Sequence, residues 1–370
     1  MENQDKKQKR DKNLSSTKKK MSRWKKAGLW VLGIFVVICL GGGGFFWYLH
    51  SSGSSSLRQG MADDSQTSQT SRREGYIVQY NGKEYQYNDD LINILVVGVD
   101  KQGGIEEQEQ GTQGLADMVV LCSLNTKDDS VFLTAIPRDT ITEIRQTDTL
   151  GNFVTTTQDK LSLQYGYGKD STQSNELMVK AVSNLLNNLK ISKYVSISES
   201  AIPVLNDAIG GVDLTTLETV MRNDGLVYFY GDQPVHLTGE DALHYIQVRN
   251  IDEYGSAMGR LERQKQYIQS FWTKAKEAMK NDLSLPLNLY QAITPYMSTN
   301  LSLGDVTYLG SEFMDMKFDS NQVSQIPGEA VFDENYKDGR TVFKVDQPAL
   351  EEWVINTFYT EVADSEDSAS

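Results

Sequence analysis

Charged residues stand at the ends of three short apolar runs within the stretch Asn93 to Thr140. Asp100 follows the run 94–99, Asp117 precedes 118–124, and Arg138-Asp139 follow 131–136. Each run is rich in β-branched residues and bounded by turn formers, which is the pattern of strands buried in a sheet. If the strands are neighbours and the second runs antiparallel to the others, these charges gather at one sheet edge. Two carboxylates and an arginine placed there suit Mg²⁺ and a phosphate. Magnesium takes one or two carboxylates plus phosphate oxygens, and arginine forks onto phosphate through two N–H groups. Taken singly, each aspartate equally suits a strand end or the start of a turn. The set points to chemistry.

The elements that must position these residues follow in order. Residues 76–87 alternate and turn at Asn81-Gly82, a strong hairpin signal. Segment 160–169 leads into a helix over 174–189 whose apolar stripe includes Leu177, Val182 and Leu185. A strand is expected at 194–197, a helix at 199–208, a turn and strand at 209–214, and a helix at 239–248 with Thr238 as N-cap. A long helix covers 259–280, with Leu261, Lys265, Ile268 and Trp272 on one stripe and Arg260, Arg263 and Gln264 near its start. Two more helices at 285–297 and 302–313, strands at 322–327 and 341–345, and a final helix at 348–358 capped by Asp346 complete the pattern. Strands interleaved with helices predict one layered α/β domain over 76–360.

The N-terminus predicts where that domain stands. Residues 1–26 hold eleven Lys or Arg against Glu2, Asp5 and Asp11, with almost no apolar residues, so a disordered cytoplasmic tail is expected. Residues 27–49 carry no charge and span roughly 34 Å as a helix, enough for a bilayer core of about 30 Å. Trp24, Trp30, Trp47 and Tyr48 lie near its ends, as interfacial aromatics do. The basic side stays inside, which places the main domain outside the cell on a single-pass membrane anchor. Residues 50–75 read as a flexible linker and 361–370 as an acidic disordered tail. The chain as a whole has a net charge of −14, which argues against nucleic acid as a partner.

The sequence resembles the LytR-CpsA-Psr family of Gram-positive cell-wall assembly proteins. The likeness rests on I-P-R-D-T at 136–140, the Lys160-Leu161 and Tyr165–Gly168 segment, Asp207 with Gly211-Val212, L-T-G-E-x-A-L at 237–243, and R-x-x-R-Q at 260–264. It implies an α-β-α fold with a central mixed sheet and an apolar pocket for a polyprenyl chain. It also implies an activity: transfer of a glycopolymer, such as teichoic acid or capsule, from a polyprenyl diphosphate carrier to peptidoglycan. On this resemblance Asp100 and Asp117 hold Mg²⁺, while Arg138, Arg249, Arg260 and Arg263 grip the diphosphate. Lys160, Tyr167 and Gln264 lie at matching positions, and Asp139 is a base or a supporting residue. Arg138, Asp139 and Arg249 are the expected catalytic group.

Three departures from the family pattern remove cations: Gln102, Leu115 and Gln247 stand where the family often has arginine. An acidic insert, Glu106-Glu107-Gln108-Glu109, lies close by in sequence. Two rival readings follow. One is a regulator that binds polyprenyl-linked glycan without turnover. The other is a diphosphatase that uses water in place of the sugar.

Overall fold

A computed structural model describes residues 49–58, 77–101, 103–105, 114–248, 250, 256–337 and 339–362, all within one unit spanning 49–370. The expected basic tail and the membrane span up to residue 48 lie outside the described residues. So do Gln102, the 106–109 insert, Arg249 and residues 363–370. Among the described residues no helix is long and apolar enough to cross a membrane.

The chain opens with helix α1 (49–58) and strands β1 (Ile77–Tyr80), β2 (Lys83–Tyr87), β3 (Leu91–Val99), β4 (Ala116–Asn125) and β5 (Ser130–Ala135). A hairpin of β6 (Ile141–Thr147) and β7 (Phe153–Lys160), a 3-10 segment at Leu161–Tyr167 and helix α2 (Ser171–Leu185) come next. Then follow β8 (Lys193–Ser198), α3 (Ala201–Ala208), β9 (Val212–Thr215), β10 (Val220–Met221), β11 (Val227–Phe229), β12 (Pro234–Leu237), α4 (Gly239–Gln247) and α5 (Ser256–Asn281). The last third holds α6 (Leu285–Ile293), β13 (Met297–Thr299), α7 (Leu303–Phe313), β14 (Lys317–Gln325), the hairpin β15 (Gly328–Asp333) and β16 (Arg340–Val345), α8 (Gln347–Phe358) and β17 (Tyr359–Glu361).

The central sheet has the order β13-β8-β3-β4-β5-β14. Strand β4 runs antiparallel to β3 and β5, whereas β8 and β14 are parallel to their inner neighbours. Both sheet faces are buried, and the two-residue period of a strand decides what each side chain meets. Leu91, Leu95, Val97 and Val99 of β3 join Met178, Val179 and Val182 of α2 and Leu350, Val354 and Phe358 of α8 in one core. Ile92 and Ile94 point the other way, to a core shared with Leu57, Tyr308 of α7 and Trp272 of α5. This is a three-layer α-β-α arrangement. A smaller apolar cluster around Val212, Leu237, Tyr245, Tyr267 and Met279 unites α4, α5 and the β9–β12 pair. Asn93 interrupts the β3 apolar run but is satisfied: its amide donates to the Tyr87 hydroxyl at 3.0 Å and to the Lys190 carbonyl at 2.9 Å, and it accepts from Ser123 at 2.7 Å.

Four expectations are corrected. Residues 49–58 are helical, not part of a tether, because Leu57 is fully buried against the sheet. A ten-residue helix is marginal alone, and burying one leucine contributes roughly 1.5–3 kcal/mol toward holding it. The helix expected over 285–297 stops at Ile293: Pro295 interrupts it, and Met297–Thr299 instead pairs with β8 at the sheet edge. On α5 the buried stripe runs Arg263, Tyr267, Ala275 and Met279 at four-residue spacing, whereas Ile268 is exposed. Glu361, assigned to a disordered tail, ends β17 and pairs with Tyr85.

Candidate active site

Strand order brings the charged ends together. The β3–β4 register pairs Gly98 with Met118 and Val99 with Ala116, so Asp117 is the extra residue of a bulge. A bulge leaves one residue unpaired and re-aims its side chain. Asp117 and Asp100 are both exposed at this edge, and the Asp100 N–H donates to the Leu115 carbonyl at 3.0 Å.

The turn 136–140 is fixed by its backbone. Ile136 is buried and its N–H donates to the Val119 carbonyl at 2.9 Å. Thr140 is fully buried, and both its N–H (2.9 Å) and its hydroxyl (2.6 Å) donate to the Pro137 carbonyl. The carbonyls of Arg138 and Asp139 accept from the Ser162 and Phe343 N–H groups at 3.0 and 2.9 Å. With the backbone held, Arg138 and Asp139 present their side chains outward. Arg138 donates to Asp117 at 2.6 Å and lies 4.0 Å from Asp139, and Lys160 donates to Asp139 at 2.7 Å and to the Thr341 carbonyl at 2.8 Å. The result is an alternating chain, Asp117–Arg138–Asp139–Lys160.

Magnitudes indicate what this chain can do. The Arg138 and Asp117 side chains are 49% and 38% exposed, and such pairs are worth about 0–1 kcal/mol. A charge-assisted hydrogen bond to phosphate contributes about 1.5–3 kcal/mol. An arriving diphosphate can therefore draw Arg138 away from Asp117.

The remaining expected residues divide. Tyr167 is half-buried at the end of the 3-10 segment, and its carbonyl accepts from the Thr147 hydroxyl. Arg260 is half-buried near the start of α5, and the Gln264 amide donates to the Ile246 carbonyl at 3.1 Å. Arg263 departs from its expected role. It is 1% exposed, with Nε on Glu218 at 2.9 Å, Nη2 on the Val248 carbonyl at 2.6 Å and Nη1 on the Tyr245 carbonyl. These bonds make it a brace under the end of α4, since a diphosphate would have to displace backbone partners to reach it. Gln247, at a position where the family often has arginine, donates to Glu199 at 2.7 Å.

Sequence reading missed a second layer. Asp159 accepts from the Tyr336 hydroxyl, from Lys337 at 2.7 Å and from the Lys160 N–H at 2.8 Å. Lys160 itself lies 5.5 Å from the Tyr336 ring centroid. Tyr336 and Lys337 lie well over a hundred residues from Asp159 and Lys160, so no local pattern announces them.

The donor chemistry at the edge fits magnesium. Asp100 and Asp117 offer hard oxygen ligands, and among the described residues no three His, Cys, Asp or Glu side chains converge into a protein-only metal centre. Two carboxylates completed by phosphate oxygens match the way Mg²⁺ is usually held in phosphate sites.

Residues 48–357 match the model of the LytR_cpsA_psr family. A polyisoprenyl-teichoic acid–peptidoglycan teichoic acid transferase, TagU, from Bacillus anthracis is 29% identical over 308 residues, covering 82% of this chain and 88% of the relative. Among solved structures, protein gbs0355 from Streptococcus agalactiae superposes with a TM-score of 0.56 at 21% identity, over 72% of this chain and 86% of that one. TagV from B. subtilis does so at 0.53 and 21%, over 72% and 95%. Both structures share this fold.

Proposed function

Because the chain belongs to the LytR_cpsA_psr family, we propose that it is a transferase that moves a glycopolymer from a polyprenyl diphosphate carrier to peptidoglycan at the outer face of a Gram-positive membrane. The observation that carries this reading is the Asp117–Arg138–Asp139–Lys160 chain at the sheet edge, beside Asp100. Phosphoryl transfer needs positioning and charge stabilisation more than covalent help from the protein. Arg138 binds the diphosphate, joined by Lys160, Arg249 and Arg260, and Asp139 takes the proton of the attacking sugar hydroxyl. Asp100 and Asp117 would hold Mg²⁺, which would supply neutralisation of phosphate charge there. The TagU relative, whose name gives the same donor and acceptor classes, supports the choice of substrates.

A binding-only regulator is favoured by one observation: Arg263 is spent on internal partners and Gln247 is uncharged, which thins the cations available to the diphosphate. Radiolabelled lipid-linked polymer incubated with peptidoglycan separates the readings. Covalent label on peptidoglycan marks the transferase, released label without attachment marks a diphosphatase, and retained carrier without either product marks the regulator. The membrane placement has its own check: protease added to intact protoplasts should remove the main domain, and protection would reverse the orientation.

A further inference from the structure

We infer that the cleft beside Asp139 is the subsite for the acceptor sugar, an assignment that rests on the glycopolymer-transfer reading above. The cleft has a volume of about 240 Å³ and lies between the 137–140 turn, the end of β14 and the β15–β16 hairpin. Asp139, Gln325 and Glu329 are its polar lining residues, and Ala330 is its exposed apolar one above the buried Val342 and Phe343.

Charge decides which substrate it takes. Its lining contains two carboxylates, one carboxamide and no lysine or arginine. A neutral saccharide can donate its hydroxyls to these carboxylate and carboxamide oxygens. Arg138 and Lys160, the cations of the site, hold Asp139 but do not line the cleft. Asp139 therefore stands between the cations that would take the donor head and the cleft that would take the acceptor. A general base has to reach the hydroxyl it deprotonates, and Asp139 is one of the residues that line this cleft.

The wall opposite Asp139 is registered to it. Phe343 donates its N–H to the Asp139 carbonyl at 2.9 Å and forms a parallel bridge with Thr140. Tyr336 and Lys337, from the turn of the same hairpin, clamp Asp159 next to Lys160. The hairpin thus sets the distance between the acceptor wall and the base.

The step balances as a displacement at phosphorus. The acceptor oxygen bonds to the phosphorus that carries the glycan, and its proton passes to Asp139. The bond from that phosphorus to the bridging oxygen breaks, polyprenyl phosphate leaves with the electron pair, and Asp139 gives the proton to this departing phosphate.

The test uses full-length protein in detergent, a polyprenyl diphosphate bearing one sugar as donor probe, and the N-acetylglucosamine–N-acetylmuramic acid disaccharide as acceptor probe. Ala330→Trp fills the cleft from an exposed position, and Glu329→Gln removes a charge while keeping the shape. Ala330→Trp is expected to raise the acceptor KM at least about tenfold, with donor Kd held within about twofold. Glu329→Gln is expected to raise the acceptor KM about threefold, as loss of one charged hydrogen-bond partner does. An unchanged acceptor KM in both variants overturns the assignment. Lost donor affinity in Ala330→Trp also overturns it, by placing the donor head in the cleft. A wild-type protein that fails to bind the donor probe overturns the transfer reading itself, which the donor arm reports separately.

Discussion

Two arginines of this chain, Arg138 and Arg263, match family positions of the same expected role, yet their surroundings are opposite. Arg138 rises from a turn whose backbone is fixed, is half exposed, and among the described residues is partnered by the carboxylates of Asp117 and Asp139. Arg263 is buried in the first third of α5 and spends its fork on two carbonyls at the end of α4 and on Glu218. Carboxylate partners at the surface are weak and exchangeable. Buried carbonyl partners are neither, because removing the arginine leaves acceptors unsatisfied. One cation is available to a ligand, and the other holds a helix in place.

Breaking the brace should give the largest effect. Arg263→Ala is expected to lower stability by about 2–4 kcal/mol, since it leaves the Tyr245 and Val248 carbonyls without their donor. Arg263→Lys should rescue little of this, because one ammonium cannot span positions a planar fork joins. Thermal or urea unfolding reads both, and near-wild-type stability in Arg263→Ala would remove the distinction drawn here. Asp117→Ala should do the reverse. Activity with Mg²⁺ is expected to fall at least about a hundredfold, roughly 2.7 kcal/mol, with unfolding unchanged because the bulged residue packs little surface. Retained activity with ordinary metal dependence would take Asp117 out of the site.

The regions differ in the same way in how much of them was legible in the sequence. Strands β3, β4 and β5 are written as alternating and β-branched runs, and the polar residues that end them are local signals, so the gathering of Asp100, Asp117 and Arg138 at one edge follows from strand order alone. The β1–β2 hairpin was equally readable, because Asn81 and Gly82 both adopt positive φ, as a two-residue turn requires. The brace was not readable. Arg263 shares its spacing with Arg260, and only the tertiary approach of α4 tells which is buried. The β6–β7 hairpin escaped because β7 leaves Phe153, Val154, Thr155 and Thr156 exposed on both of its faces, so no hydrophobic period marks it. Lys160 was placed by resemblance, but its pairing with Asp139 depends on where β7 returns.

Arg138→Lys sharpens the comparison at intermediate size. The change keeps the charge and loses the fork, so transfer should drop at least about tenfold, or roughly 1.4 kcal/mol of transition-state stabilisation. Stability should move by less than about 0.5 kcal/mol, as is usual for an exposed pair. Turnover is read by transfer of labelled polymer and folding by circular dichroism. Wild-type turnover in Arg138→Lys would reduce Arg138 to a strand-end residue with no part in the chemistry.

Asp159 lies between these extremes and yields the smallest effect. Burial works to raise its pKa, but hydrogen bonds from Lys337, Tyr336 and the Lys160 N–H outweigh burial and hold the carboxyl below its ordinary value. A depressed carboxyl contributes stability above its unfolded pKa of about 3.9 and loses it as pH falls through the folded value. The contribution is about 0.5–1 kcal/mol, because Lys337 is largely exposed and the pair is screened. Wild-type protein should therefore be slightly more stable than Asp159→Asn at pH 7, and the gap should close as pH drops below the ordinary carboxylate range. Transfer should also weaken in Asp159→Asn while donor binding holds, because Lys160 keeps its charge and Asp139 but the Lys337 ion pair that holds the β15–β16 hairpin turn against it is lost. A stability gap that persists at low pH would mean Asp159 acts through packing. A gap absent at pH 7 would mean the hairpin carrying Tyr336 is held by its strand pairing alone.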